Sequence, residues 1–156
     1  MTSPDTLNTE QQYVTLVIAE QLFGIPVLDV HDVLKDQRIN FIPLAPNQVA
    51  GSLNLRGRIV TAIDMRRRLG VEPEVARHSS MSLVVENQGE MYSLMVDSVG
   101  EVLSLPSSRF EKTPATIEAN WREVARGVFR LEKSLMIVLD VEKLFPQIVE
   151  NDAEAA

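Results

Sequence analysis

A chain of 156 residues has room for one domain of ordinary size, or two very small ones packed together. Its net charge of −7 opposes a general nucleic-acid binder, which needs Lys and Arg against phosphates, and opposes docking on an anionic membrane. Apolar residues at 45% mark a packed globular chain, and the lack of Cys removes disulfides, thiolate catalysis and thiolate metal sites together.

The apolar set is dominated by 19 Val and 9 Ile, which suit a pleated sheet better than a helix. Residues 1–12 are expected to be a loose polar tail. Strands are expected at Tyr13–Ala19 and Leu22–Val27, joined by a tight turn at Glu20-Gln21. Leu28–Leu34 fits either a helical turn or a bent strand, and Pro43, Pro46 and Asn47 mark a loop. Gly51–Leu55 and Ile59–Ile63 flank Arg56-Gly57 as a hairpin, with Asn54 and Gly57 as its turn residues. Asp64 is placed to cap a short basic helix, Met65–Leu69. After a polar linker at 71–80, Met81–Glu86 and Met91–Val96 form a hairpin around Asn87-Gln88-Gly89, and Val99–Leu105 continues the pattern. Residues 107–124 are irregular, with a short helix at Ile117–Val124. Val128–Leu131 and Leu135–Leu139 form the last hairpin, Asp140 caps a helix over Val141–Phe145, and 147–156 is an acidic tail.

The chain repeats itself. LFGIPVLDVHDVL (22–34) aligns without a gap on MYSLMVDSVGEVL (91–103), pairing Val30 with Val99, Asp32 with Glu101 and Val33 with Val102. LVIAEQ (16–21) matches LVVENQ (83–88), and Gly51–Gly70 aligns on Gly127–Pro146, pairing Gly51 with Gly127 and Asp64 with Asp140. The expected fold is mainly β: two small five-stranded barrels, about 13–75 and 80–146, sharing a hydrophobic core and free to exchange strands. The N-terminus lacks a basic, apolar signal region and no run approaches a membrane span, so a cytoplasmic chain without direct membrane insertion is expected.

No catalytic constellation emerges. His31 and His78 lack partners at metal-ligand spacing, and no nucleophile elbow, phosphate loop or dinucleotide fingerprint exists, so neither cofactor nor metal is expected. Asp64 and Asp140 read as helix caps rather than a carboxylate dyad, Arg66-Arg67-Arg68 as a solvated helix face rather than a phosphate site, and Trp121 as a core or seam anchor. A barrel enzyme or ligand carrier would need a set of convergent polar groups, and a nucleic-acid-binding barrel a basic aromatic face; neither is present. A non-enzymatic binding module remains. Its unusual strings are GSLNLRG (51–57), with a guanidinium at a hairpin tip, and VDSVGEVLSLP (96–106), which suits an exposed strand edge.

Those strings, with FGIPVLDVHDVL (23–34), GSLNLRGRIVTAIDMRRRL (51–69) and MIVLDVEKL (136–144), resemble the CheW family of bacterial chemotaxis coupling proteins over about Tyr13–Phe145. The chain departs from the family pattern at Thr61, at Asp32, and over Phe110–Thr116. The resemblance implies two SH3-like barrels around a common core and no enzymatic activity. It implies two partners, the methyl-accepting chemoreceptors and the regulatory domain of the histidine kinase CheA, at membrane-associated arrays. It also implies a receptor-contact surface near the groove between barrels, carried here by Val30, Asp32, Val33, Gly51, Arg56, Val99 and Val102. An adaptor of another chemosensory pathway, for surface motility or for a regulator other than CheA, is the alternative.

Overall fold

The computed structural model describes residues 9–35, 37–71 and 81–145. The expected tail before Thr9, most of the 71–80 linker, His78 and the 147–156 tail lie outside them. Among the described residues eleven strands form in chain order: β1 Glu10–Ile18, β2 Gln21–Pro26, β3 Val30–Lys35, β4 Val49–Leu55, β5 Arg58–Asp64, β6 Met81–Asn87, β7 Glu90–Val96, β8 Ser98–Pro106, β9 Phe110–Glu111, β10 Ala125–Arg130 and β11 Leu135–Leu139. Among the described residues three short α-helices accompany them: α1 Met65–Arg68, α2 Ala119–Val124 and α3 Val141–Leu144. β1 starts at Glu10, not Tyr13, because β8 runs on to Pro106 and pairs with residues 10–12. The ambiguous 28–34 stretch is both things in turn, a 3-10 turn at Val27–Asp29 and then β3.

The strands form two SH3-like barrels. One sheet has the order β8-β1-β2-β11-β10-β9 and the other β3-β6-β7-β5-β4. The expected boundary near 75–80 does not separate them. The first hairpin, β1–β2, sits in the sheet of β8, β10 and β11, while β6–β7 sits in the sheet of β3, β4 and β5. Each half of the chain thus gives its leading hairpin to the other half's barrel. The parallel joints correspond in detail: Gly24 pairs with Val138, and Ser93 with Ala62. The turns also correspond, since Ala19-Glu20 and Gln88-Gly89 all take positive φ between paired strands. That equates Leu16 with Val85, so aligning 16–21 on 83–88 is two residues out of register. A slip of two preserves which face each residue occupies, and hydrophobic pattern alone does not expose it.

Period-two alternation sends each sheet's side chains to two cores. One face supplies the shared seam: Leu16, Ile18, Phe23, Ile25, Ile137 and Leu139 meet Ile63, Leu83, Val85, Leu94 and Val96. The other faces fill the barrels, with Leu34, Leu53, Val60, Ala62 and Val84 in one and Tyr13, Phe129, Met136 and Val138 in the other. Full burial of each large side chain contributes about 1.5–3 kcal/mol, so the seam outweighs either interior. Trp121 anchors it as expected, tilted 5.5 Å from Phe23 and donating its indole N–H to the Leu69 carbonyl at 3.1 Å.

Asp64 and Asp140 both cap helices. Asp64 accepts from the Arg66 N–H at 3.0 Å, and Asp140 from the Glu142 N–H at 3.1 Å. The arginine run is not a solvated face. Arg66 pairs with Asp97, and Arg68 is buried, donating to the Leu144 and Lys143 carbonyls at 2.9 and 3.1 Å. Desolvation lowers the Arg68 pKa, partly offset by Glu123, yet a guanidinium keeps its charge, and it satisfies carbonyls that α3 leaves open at its end.

Candidate functional site

β3 and β8 are edge strands of the two different sheets. β6 connects them: it is hydrogen-bonded to β3 and packs against β8. Val30 and Val99, aligned in the repeat, are partly buried against the shared core. Val33 and Val102, also aligned, stand 42% and 51% exposed. Both strands bulge at the same point of the repeat. His31 is extra between Val30 and Asp32, while Thr15 of β1 faces Gly100 and Glu101 between Val99 and Val102. A bulge re-aims the residues after it, so Val33 and Val102, each still paired in its ladder, follow equivalent bulges.

Arg56 reaches this surface from the other edge of its sheet. The β4–β5 turn has both central residues at positive φ, Arg56 at 51° and Gly57 at 84°, and Asn54 Oδ1 accepts the Gly57 N–H at 2.9 Å. Gly is at ease there, whereas a left-handed Arg costs about 1 kcal/mol or more. The guanidinium Nη2 lies 3.1 Å from Asp32 Oδ2, with the Arg56 side chain 79% and the Asp32 side chain 27% exposed. This ion pair joins β4–β5 to β3, the two ends of one sheet. In so exposed a place it adds little stability, and it leaves the other guanidinium donors outward.

Of the seven predicted contact residues, Asp32 and Arg56 are brought into direct contact. Val30 and Val33 share a strand with Asp32, and Val99 and Val102 lie on the aligned strand of the other barrel. Gly51 is different: it is buried and has no side chain to present. A Cβ there would run into the Asn40 carbonyl oxygen, where Asn40 and Ser52 exchange backbone hydrogen bonds at 2.7 and 2.8 Å. Its role is to let the 37–48 segment close over β4.

Sequence reasoning missed Asp97 and Thr15. The carboxylate of Asp97, just ahead of β8, accepts from Arg66 Nε at 2.8 Å, Arg66 Nη2 at 2.6 Å and the Ala19 N–H at 2.8 Å. Thr15 Oγ1 donates to the Glu101 carbonyl at 2.6 Å, and only a glycine at position 100 clears that hydroxyl. The available signal was Gly100 inside a strand pattern, which marks a bulge or a close approach. Among the described residues no group of three His, Asp or Glu is placed to hold a metal, and no helix is long and apolar enough to cross a membrane.

The CheW-like domain model matches residues 12–149, nearly the whole chain. This protein belongs to the CheW-like family. It is 29% identical to the chemotaxis protein CheW of Treponema pallidum over 91% of this chain and 86% of that one. It is 29% identical to the protein PilI of Pseudomonas aeruginosa over 75% of this chain and 66% of that one. The crystal structure of the scaffolding protein TtCheW from Thermoanaerobacter tengcongensis superposes with a TM-score of 0.80 at 31% identity, covering 88% of this chain and 94% of that one. The double barrel is thus a CheW-like fold, shared with a protein described as a scaffold.

Proposed function

We propose that this CheW-like protein is a non-catalytic chemotaxis adaptor that couples methyl-accepting receptors to the regulatory domain of the histidine kinase CheA. It acts in the cytoplasm, recruited to membrane-associated receptor arrays. The observation that carries this reading is the Arg56–Asp32 pair on an exposed sheet edge, with half-exposed valines at repeat-related positions on both barrels. Val33 and Val102 offer apolar area to receptor helices, backed by Val30 and Val99. Arg56, held by Asp32, offers its remaining donors to carboxylates or helix-end carbonyls. Phe41, Leu44 and Ile59, exposed at 81%, 101% and 70%, lie on the Asn40 segment and on β5, and they support a separate apolar surface for the kinase domain. Individual contacts are modest; in an array each raises the effective concentration for the next. Signal passes only if the receptor's states differ in their interaction with the groove.

The test is a reconstituted mixture of receptor fragments and CheA. Adding this protein is expected to make kinase activity receptor-dependent, and Arg56→Ala is expected to lose that control while staying folded. Full coupling by Arg56→Ala removes the site, and no coupling by the wild type removes the reading. A second reading is an adaptor of another chemosensory pathway, since one relative, the protein PilI, does not bear the chemotaxis name; capture of a kinase other than CheA from native lysate would favour it.

A further inference from the structure

We propose that Arg66 and Asp97 are a positioning pair for the β8 wall of the receptor groove, fixing the direction in which Val99 and Val102 are presented. This rests on the adaptor reading. Asp97 is the residue between β7 and β8. Its N–H donates to the Val17 carbonyl at 3.0 Å, and its carboxylate holds both the bidentate Arg66 guanidinium and the Ala19 N–H of the β1–β2 turn. Arg66 extends from a helix whose start is fixed by Asp64. The two side chains are only 15% and 16% exposed, so the pair is little screened by salt. Three segments from both halves of the chain therefore meet at the point where β8 begins. Val99 follows two residues on, and Val102 follows across the Thr15 bulge.

The repeat separates this role from mere construction. Leu28 aligns with Asp97 at the equivalent junction ahead of β3, and Glu142 aligns with Arg66. Leu28 is 94% exposed and has no carboxylate to offer, yet β3 reaches its sheet with the same order and the same bulge. The topology therefore does not require the clamp. What the clamp adds is a fixed launch for β8, whereas β3 is tethered by the exposed Arg56–Asp32 pair.

The experiment compares Asp97→Asn, Arg66→Lys and Val128→Ala, the last a core truncation on β10, away from β8, as a stability control. Binding to a receptor cytoplasmic-tip fragment and amide exchange along β8 are measured for each full chain. Asp97→Asn is expected to bind about tenfold more weakly, with faster exchange at Val99–Val102. Arg66→Lys, keeping charge but losing the fork, should fall about threefold, and Val128→Ala should lower Tm without either change. If Asp97→Asn does not fold, Arg66→Lys decides alone. Wild-type affinity and β8 exchange in the folded variants, or losses no larger than those of Val128→Ala at equal Tm, overturn the positioning role. A wild-type protein that does not bind the fragment overturns the adaptor reading instead; β8 exchange still tests whether the pair fixes the strand.

Discussion

Gly51 and Gly127 occupy the same place in the repeat and do the same work. Leu28 and Asp97, equally well aligned, have nothing in common. Each glycine sits at a bulge beside a crossing segment, Gly51 under the Asn40 carbonyl and Gly127 against Phe110 and the Glu111 carbonyl. Both barrels need a strand to be crossed closely there, and only a residue without Cβ allows it. By contrast, one crossover ahead of an edge strand ends in a solvent-exposed leucine and the other in a part-buried, charged clamp. The hairpin tips diverge likewise. The first is a two-residue turn carrying Arg56, and its counterpart is a longer turn across Glu132–Ser134 closed by the Leu131 N–H on the Ser134 carbonyl. The two halves keep alike what close packing forces on them and differ ahead of the edge strands and at the hairpin tips.

The glycine equivalence breaks if one site tolerates a methyl. Gly51→Ala and Gly127→Ala are each expected to cost about 3 kcal/mol in denaturant unfolding, since the obstacles include backbone carbonyls. The parallel joints offer a smaller test. Ser93 is fully buried and its hydroxyl has no hydrogen-bond partner, where the aligned residue is Gly24. Ser93→Ala should therefore stabilise the protein by about 1 kcal/mol, read as a higher denaturation midpoint. At the divergent tips, Arg56→Ala should change stability by no more than about 0.5 kcal/mol while removing receptor-dependent kinase control, so a large loss of Tm would make the pair with Asp32 structural.

The smallest effect is one of pH. Burial raises the Tyr13 phenol above its usual value, with Arg126 acting in the opposite direction. The folded state then holds that proton after the unfolded chain has released it. Tyr13 thus favours folding fully below pH about 10, and that contribution is lost as pH rises through the window above it. Tyr13→Phe should flatten the alkaline fall in Tm over that window.

Much of the strand layout was legible because alternation and turn chemistry are local. The four hairpin cores, both aspartate caps and the Asn54–Gly57 turn follow from neighbouring residues. The boundaries that moved did so for non-local reasons, as when β8 drew residues 10–12 into β1. Arg66-Arg67-Arg68 was misread for the same reason: a run of like charges looks solvated until the fold brings Asp97 to one member and the end of α3 to another. Within the candidate site all seven residues were named, Asp32 and Gly51 among them, but neither the pairing of Asp32 with Arg56 nor the burial of Gly51 was legible.

By itself the sequence determined a mainly β chain built twice over, with a guanidinium at a tight turn. Alternation, turn residues and self-similarity are all written in nearby positions. Only the tertiary structure decided that each half lends its first hairpin to the other, and that Asp97 anchors β8 while Leu28 lies bare. Those choices join residues far apart in the chain. They are settled by which exchange buries the shared seam, a free energy that no single segment carries.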